Sequence, residues 1–165
     1  MDNTDNAASV ALQALETALA DARQRAAAAE LPQEGLGVLK QGRWRGRRIV
    51  RAGSAWRLGA LLLSDDQVFG TGTIFRAAHH VRRGYTAESA RSRAQLQAEA
   101  HRGGFRDGEV VHLDWTTIDT VQLAEQQASG PLILLGNIPH VKWSRTGDPA
   151  PLAGYLDEQL NLQGA

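Results

Sequence analysis

The sequence predicts an α+β protein: an antiparallel roll or a partly open β-barrel of about seven strands, with a long N-terminal helix, a helical insertion and a C-terminal helix. Three observations lead to this prediction. Apolar residues repeat at helical spacing in the first 30 positions, and again from Leu152 onward. Between Leu36 and Ala77, glycines instead punctuate short runs of strand-forming residues.

Length and composition indicate one ordinary domain. The chain has 165 residues, and we place the N-terminal helix at residues 1–31 and a single α+β domain at residues 35–165. Because there is no cysteine, disulfides, zinc ribbons and thiol nucleophiles are excluded. The first residues lack the basic start of a signal peptide, and no apolar run approaches the roughly 20 residues of a spanning helix. We therefore expect a cytoplasmic protein without membrane insertion.

A net charge of zero hides a strong segregation along the chain. Residues 1–39 hold 2 basic and 6 acidic side chains, residues 40–106 hold 14 and 4, and residues 107–165 hold 2 and 8. Sixteen of the 18 cations are arginine, which suits forked contacts with carboxylate or phosphate. The basic middle segment is either neutralised by the acidic flanks or free to bind an anionic partner.

The N-terminal helix carries a heptad seam that needs a second surface. Its seam residues alternate at spacings of four and three, and Pro32 ends the helix: Ala8, Leu12, Leu15, Leu19, Ala22, Ala26 and Ala29. That second surface is a copy of the seam or the body of the protein. From the first alternative comes our leading hypothesis, a non-enzymatic binding or scaffold module. It would be a homodimer or bind a protein partner through Leu12, Leu15 and Leu19.

The order of the remaining elements predicts a roll. We expect strands near 36–41, 44–51, 55–63 and 67–76, with a turn at 64–67. A helix at 86–102 follows, then strands at 109–116, 132–135 and 138–144, with a short helix around 119–128 and a final helix after Pro151. Over residues 36–162 this order resembles the pleckstrin-homology-like barrel, a partly open roll capped by its last helix. That resemblance is one of strand order only, and a generic α+β roll fits equally well.

Residues 43–51 form an arginine-rich strand in this interpretation. Alternation on a strand would place Arg43, Arg45, Arg47 and Arg51 on one face, with Trp44 available to stack on a base. A row of guanidinium groups can bind a phosphate backbone or another anionic ligand. Our second hypothesis is therefore a nucleic-acid or anionic-ligand site at Arg43, Trp44, Arg45, Arg47 and Arg51. The alternative is a solvated face paired with acids elsewhere.

A third hypothesis is a small-ligand enzyme that uses His112 and Asp114. This His-x-Asp pair would share one strand face, where it could act as a base with its orienting carboxylate. The adjacent His79 and His80 point apart in either secondary structure, and Asp65 and Asp66 suit a turn. No complete catalytic set is recognisable, so we predict no cofactor and no metal site, and we favour a binding module over an enzyme.

Overall fold

The computed structural model describes residues 2–79 and 87–165. Thr86 and His80, which figured in the sequence predictions, lie outside these residues. The α+β class is confirmed, since the described residues form four helices and eleven strands. In chain order they are α1 (Asp2–Ala28), β1 (Glu34–Gly42), β2 (Gly46–Leu58), β3 (Leu61–Leu63), β4 (Val68–Gly70), β5 (Thr73–Arg76), α2 (Glu88–Arg102), β6 (Val110–Leu113), β7 (Thr116–Thr117), α3 (Thr120–Gln126), β8 (Ala128–Ser129), β9 (Leu132–Leu135), β10 (Ile138–Val141), β11 (Ala150–Pro151) and α4 (Leu152–Leu162).

Contacts between residues divide the chain into two compact units. The helical unit comprises Met1–Pro32, Trp56–Gly70 and Thr116–Ala165, and the hairpin unit comprises Gln33–Ala55 and Thr71–Trp115. The sequence predicted a boundary between a helix at 1–31 and a domain that begins at residue 35. The first division between the two units, between Pro32 and Gln33, falls at this place. However, α1 is grouped with later segments of the chain rather than standing apart from them.

The strands form a mixed sheet rather than an antiparallel roll. In the hairpin unit the order is β5-β6-β1-β2, and β2 continues into the order β3-β4-β7 of the helical unit, which gives seven strands in all. The sheet is mixed because β1 and β6 run parallel, with α2 lying in the long connection between them. A separate sheet has the order β11-β10-β9-β8. The described strands do not close into a barrel, and the pleckstrin-homology-like order stays a prediction.

The heptad seam of α1 is buried inside its own unit. Leu15 is fully buried and Leu19 is 5% exposed, whereas Leu12 is half-buried at the edge of the same core. Opposite them, α4 buries Leu152, Tyr155, Leu156 and Leu160. An ion pair between Arg25 and Asp157 joins the two helices at the surface. Of the two surfaces left open for the seam, the body of the protein is the one that covers it.

The core of the hairpin unit lies between its sheet and α2. Ile49 of β2, Val111 of β6 and Phe75 of β5 pack there with Ala100 and Phe105 from the end of α2 and the loop after it. The end of α2 approaches the sheet closely at Gly103. A Cβ atom at this position would lie 1.6 Å from the carbonyl oxygen of Ile49, so only glycine allows this contact.

The turn predicted at residues 64–67 is confirmed by the structure. Residues 64–67 form the turn between β3 and β4, with the Ser64 amide donating to the carbonyl of Gln67 over 3.0 Å. Gly136 and Asn137 connect β9 to β10, and both have positive φ, as a two-residue hairpin turn requires. No helix in the described part of the chain is long and apolar enough to span a membrane.

We expect Leu15→Ala to lower the free energy of unfolding by about 2–5 kcal/mol, because it leaves a cavity in the core of the helical unit. Val10→Ala is the control on the same helix. Val10 is 57% exposed, and its replacement should change the free energy of unfolding by less than about 0.5 kcal/mol. Urea denaturation followed by circular dichroism measures both. Equal effects of the two substitutions would show that the seam is not packed as described.

Candidate functional site: the arginine hairpin

Strands β1 and β2 form a long antiparallel hairpin that ends in a three-residue loop. The last paired residues are Gly42 and Gly46, so Arg43, Trp44 and Arg45 form the loop itself. Gly46 has a φ of +64°, the left-handed conformation that commonly closes three-residue hairpin loops and that glycine adopts without strain. The strand predicted to begin at residue 44 therefore begins at residue 46.

The end of this hairpin presents an aromatic ring among cations. Trp44 is 93% exposed, and Arg43 and Arg45 beside it are exposed as well. The segment 40–48 contains five cationic residues and no acidic one. We call Arg43, Trp44 and Arg45, together with Lys40 and Arg48, the hairpin tip.

Lys40 and Arg48 face each other across the hairpin as directly paired residues. Like charges in this position repel each other and destabilise the pairing. Lys40 is exposed, and the Nε atom of Arg48 is buried without a hydrogen-bond partner among the described residues. An anion held beside these two side chains would reduce their mutual repulsion.

Arg47, by contrast, is held by α2. Its Nε atom lies 3.2 Å from Oε1 of Glu99, a carboxylate whose side chain is only 1% exposed. Gln95 donates a hydrogen bond to the same oxygen over 2.9 Å, and Arg102 donates to the main-chain carbonyl of Arg47 over 3.1 Å. Arg47 therefore neutralises a buried acid and ties the hairpin to the helix.

Arg51 is engaged on the same face of β2. Its guanidinium forms an ion pair with Glu109 and lies 4.6 Å from the centre of the Phe105 ring. Partial burial acts to raise the pKa of Glu109. The hydrogen bonds from the Arg106 amide and from Arg51, together with the charges of both arginines, outweigh burial and hold that pKa below 4.5.

The structure thus divides the five residues predicted to bind an anion. It brings Arg43, Trp44 and Arg45 together at the loop and places Arg47 and Arg51 on the face covered by α2. The expected single row of arginines does not form, because the loop interrupts the alternation between residues 43 and 47. Lys40 and Arg48 were missed, since their pairing follows from the hairpin register, which depends on where the loop falls.

His112 and Asp114 do not form the predicted pair. β6 ends at residue 113, and Asp114 follows it, exposed and with a φ of +57°. His112 is fully buried, and its Nε2 atom is hydrogen-bonded to the carboxylate of Glu34 on the neighbouring strand β1. The described residues contain no group of three histidines or acids that could hold a metal ion.

Comparisons with protein-family models, with curated proteins and with solved structures found no match for this chain. The function is therefore inferred from the exposed side chains of the hairpin tip.

We expect Arg47→Ala to lower the free energy of unfolding by about 1–3 kcal/mol, because it leaves the buried carboxylate of Glu99 without its cation. Arg45→Ala, in the exposed loop of the same hairpin, should change this free energy by less than about 0.5 kcal/mol. Chemical denaturation of both variants measures the difference. If Arg47→Ala left the free energy of unfolding unchanged, the ion pair would not be what holds the hairpin to α2.

We expect Arg51→Ala to raise the pKa of Glu109 toward 4.5, because the substitution removes a hydrogen bond and a positive charge from the carboxylate. In the native protein a lowered pKa adds stability that is present above the unfolded value near 4.5 and is lost as the pH falls through the lower folded value. A carboxyl carbon NMR titration of Glu109 measures the shift. An unchanged pKa in the variant would contradict the ion pair.

Proposed function

We propose that this chain is a non-enzymatic binding module that takes single-stranded nucleic acid at the hairpin tip. The observation that carries this proposal is the indole of Trp44, 93% exposed between two exposed arginines at the end of a hairpin. An aromatic plane combined with guanidinium groups matches the two surfaces of a nucleic-acid strand, its base faces and its phosphates.

The exposed indole of Trp44 would contribute most binding free energy to a partner with a flat apolar face. Stacking of a base on an aromatic side chain contributes about 1–3 kcal/mol and tolerates any base, because every base has a π face. Arg43 and Arg45 lie directly beside the ring in the sequence, so the phosphates on either side of a stacked base come within their reach. This arrangement favours an unpaired strand, since the bases of a duplex are stacked on one another and present only their edges.

The opposed Lys40 and Arg48 support the same proposal from a second position. A phosphate bound beside them would reduce their repulsion across the hairpin. Arg47 and Arg51 contribute indirectly in this scheme, because their ion pairs with Glu99 and Glu109 hold the hairpin in place.

The other two hypotheses draw less support from the structure. Leu15 and Leu19, which would have formed a partner helix, are buried in the helical unit. His112 is fully buried against Glu34, so a substrate has no direct access to its ring. We therefore keep the binding-module class and move its binding surface from α1 to the hairpin tip.

Fluorescence anisotropy with a labelled single-stranded oligonucleotide tests the proposal. We expect Trp44→Ala to weaken binding by about tenfold, the loss of one base stack. Trp143→Ala is the matched control, because Trp143 is also exposed, at 54%, but lies in the acidic helical unit. An equal effect of the two substitutions, or no binding by the wild type, would refute the proposal.

The salt dependence of the same binding reports the phosphate contacts. For a single strand, each phosphate contact contributes about 0.7 to the slope of log K against log salt. We expect Arg43→Ala with Arg45→Ala to reduce this slope by about 1.4, whereas Arg93→Ala, an exposed arginine on α2, should leave it unchanged. Binding to duplex DNA or to phosphatidylserine vesicles at equal affinity would indicate a general anion surface instead.

A further inference from the structure

The helical unit contains a groove that the proposed function does not use. It has a volume of about 500 Å³ and lies between α1, the turn before β4, and the connection from β7 to α3. Its lining combines apolar side chains with carboxylates, mainly Leu19, Val68 and Ile118 with Glu16, Asp66 and Asp119.

Arg23, the one cation of this lining within residues 2–79 and 87–165, is already engaged by the protein. Arg23 donates from Nε to the carbonyl of Ser64 over 2.7 Å and from Nη2 to the carbonyl of Gln67 over 3.0 Å. Its two main-chain partners hold it against the wall of the groove. Glu16, in contrast, is exposed on α1. The groove therefore suits a ligand that carries positive charge together with an apolar group.

The two units have opposite charge. The segments of the helical unit hold 12 acidic and 5 basic residues, and those of the hairpin unit hold 6 acidic and 13 basic residues. Among the described residues of the hairpin unit, Trp44 at the hairpin tip is an exposed apolar group flanked by exposed arginines. The chain thus contains both an acidic groove with an apolar lining and a cationic element with an exposed aromatic ring.

We propose that the groove receives the hairpin tip of a second copy of this chain. The indole of Trp44 packs against the apolar lining, and Arg43 and Arg45 approach Glu16, Asp66 and Asp119. A volume of about 500 Å³ is within the range of small-molecule pockets, and is ample for one indole ring. The helical lining continues toward the N-terminus in a shallower depression that shares Glu16 and includes the half-buried Leu12.

Such an interface joins two different surfaces, so association is head-to-tail. A pair of copies then still offers one free tip, on one copy, and one free groove, on the other, which leads to open chains or closed rings rather than to dimers alone. A tip docked in a groove is also unavailable to nucleic acid, so the two kinds of binding compete. The docking itself does not depend on the nucleic-acid proposal, because it rests on the groove and on charge complementarity.

Sedimentation velocity of the full chain at low salt tests the docking with two charge-reversal variants. Glu16→Arg and Arg45→Glu both change exposed residues, and each should weaken self-association by at least tenfold. The first variant keeps an intact tip and the second an intact groove. A mixture of the two should therefore form a one-to-one complex that neither forms alone. Glu158→Arg, an exposed acid on α4 outside the groove, should associate like the wild type.

Several results would overturn the docking without touching the nucleic-acid proposal. A wild-type chain that stays monomeric at all concentrations excludes it. Association that persists in Trp44→Ala, or in both charge-reversal variants, places the contact elsewhere. Failure of the mixed variants to combine contradicts the head-to-tail geometry. Conversely, loss of oligonucleotide binding in Trp44→Ala together with intact self-association supports nucleic-acid binding and rejects the groove as the site of the tip.

Discussion

The ion pair between Arg47 and Glu99 decides what the arginine hairpin can offer to a ligand. Glu99 is almost completely buried on α2, and a carboxylate in that position requires a cation and hydrogen bonds. Arg47 supplies the cation, so the start of β2 is held on α2. The neighbouring loop residues 43–45 are exposed. Arg43 and Arg45 stay exposed in the loop, whereas Arg47 and Arg51 on the strand are paired with Glu99 and Glu109.

Local patterns in the sequence are sufficient to predict the helices and tight turns, but they do not predict which distant strands pair. The α1 seam, the inner face of α4 and the turns at 64–67 and 136–137 all follow from spacing or from residues with special backbone preferences. The parallel pairing of β1 with β6 joins Leu36 to His112, and no local pattern encodes such a contact. Glu34 could not be predicted as the partner of His112 for the same reason, because the two residues are 78 positions apart in the sequence.

The candidate site shows the same limit on a smaller scale. Composition singled out residues 43–51, yet strand alternation does not apply to Arg43 and Arg45, which lie in the loop rather than on the strand face predicted for them. The position of the loop decides which side chains are free, and it depends on a single glycine in the left-handed conformation. The distribution of charge also depends on the fold. Segments along the chain alternate in sign, but the opposition between a basic and an acidic unit emerges only when discontinuous segments are grouped.

The helical unit is assembled from segments that are synthesised at very different times. α1 is synthesised well before α4 and β10, which pack against its apolar face and are completed only after residue 138. Until then the leucines of α1 are exposed to solvent on a nascent chain, a state that favours chaperone binding and aggregation. Their late coverage also raises the contact order of the fold, so this unit should mature more slowly than its helical content suggests.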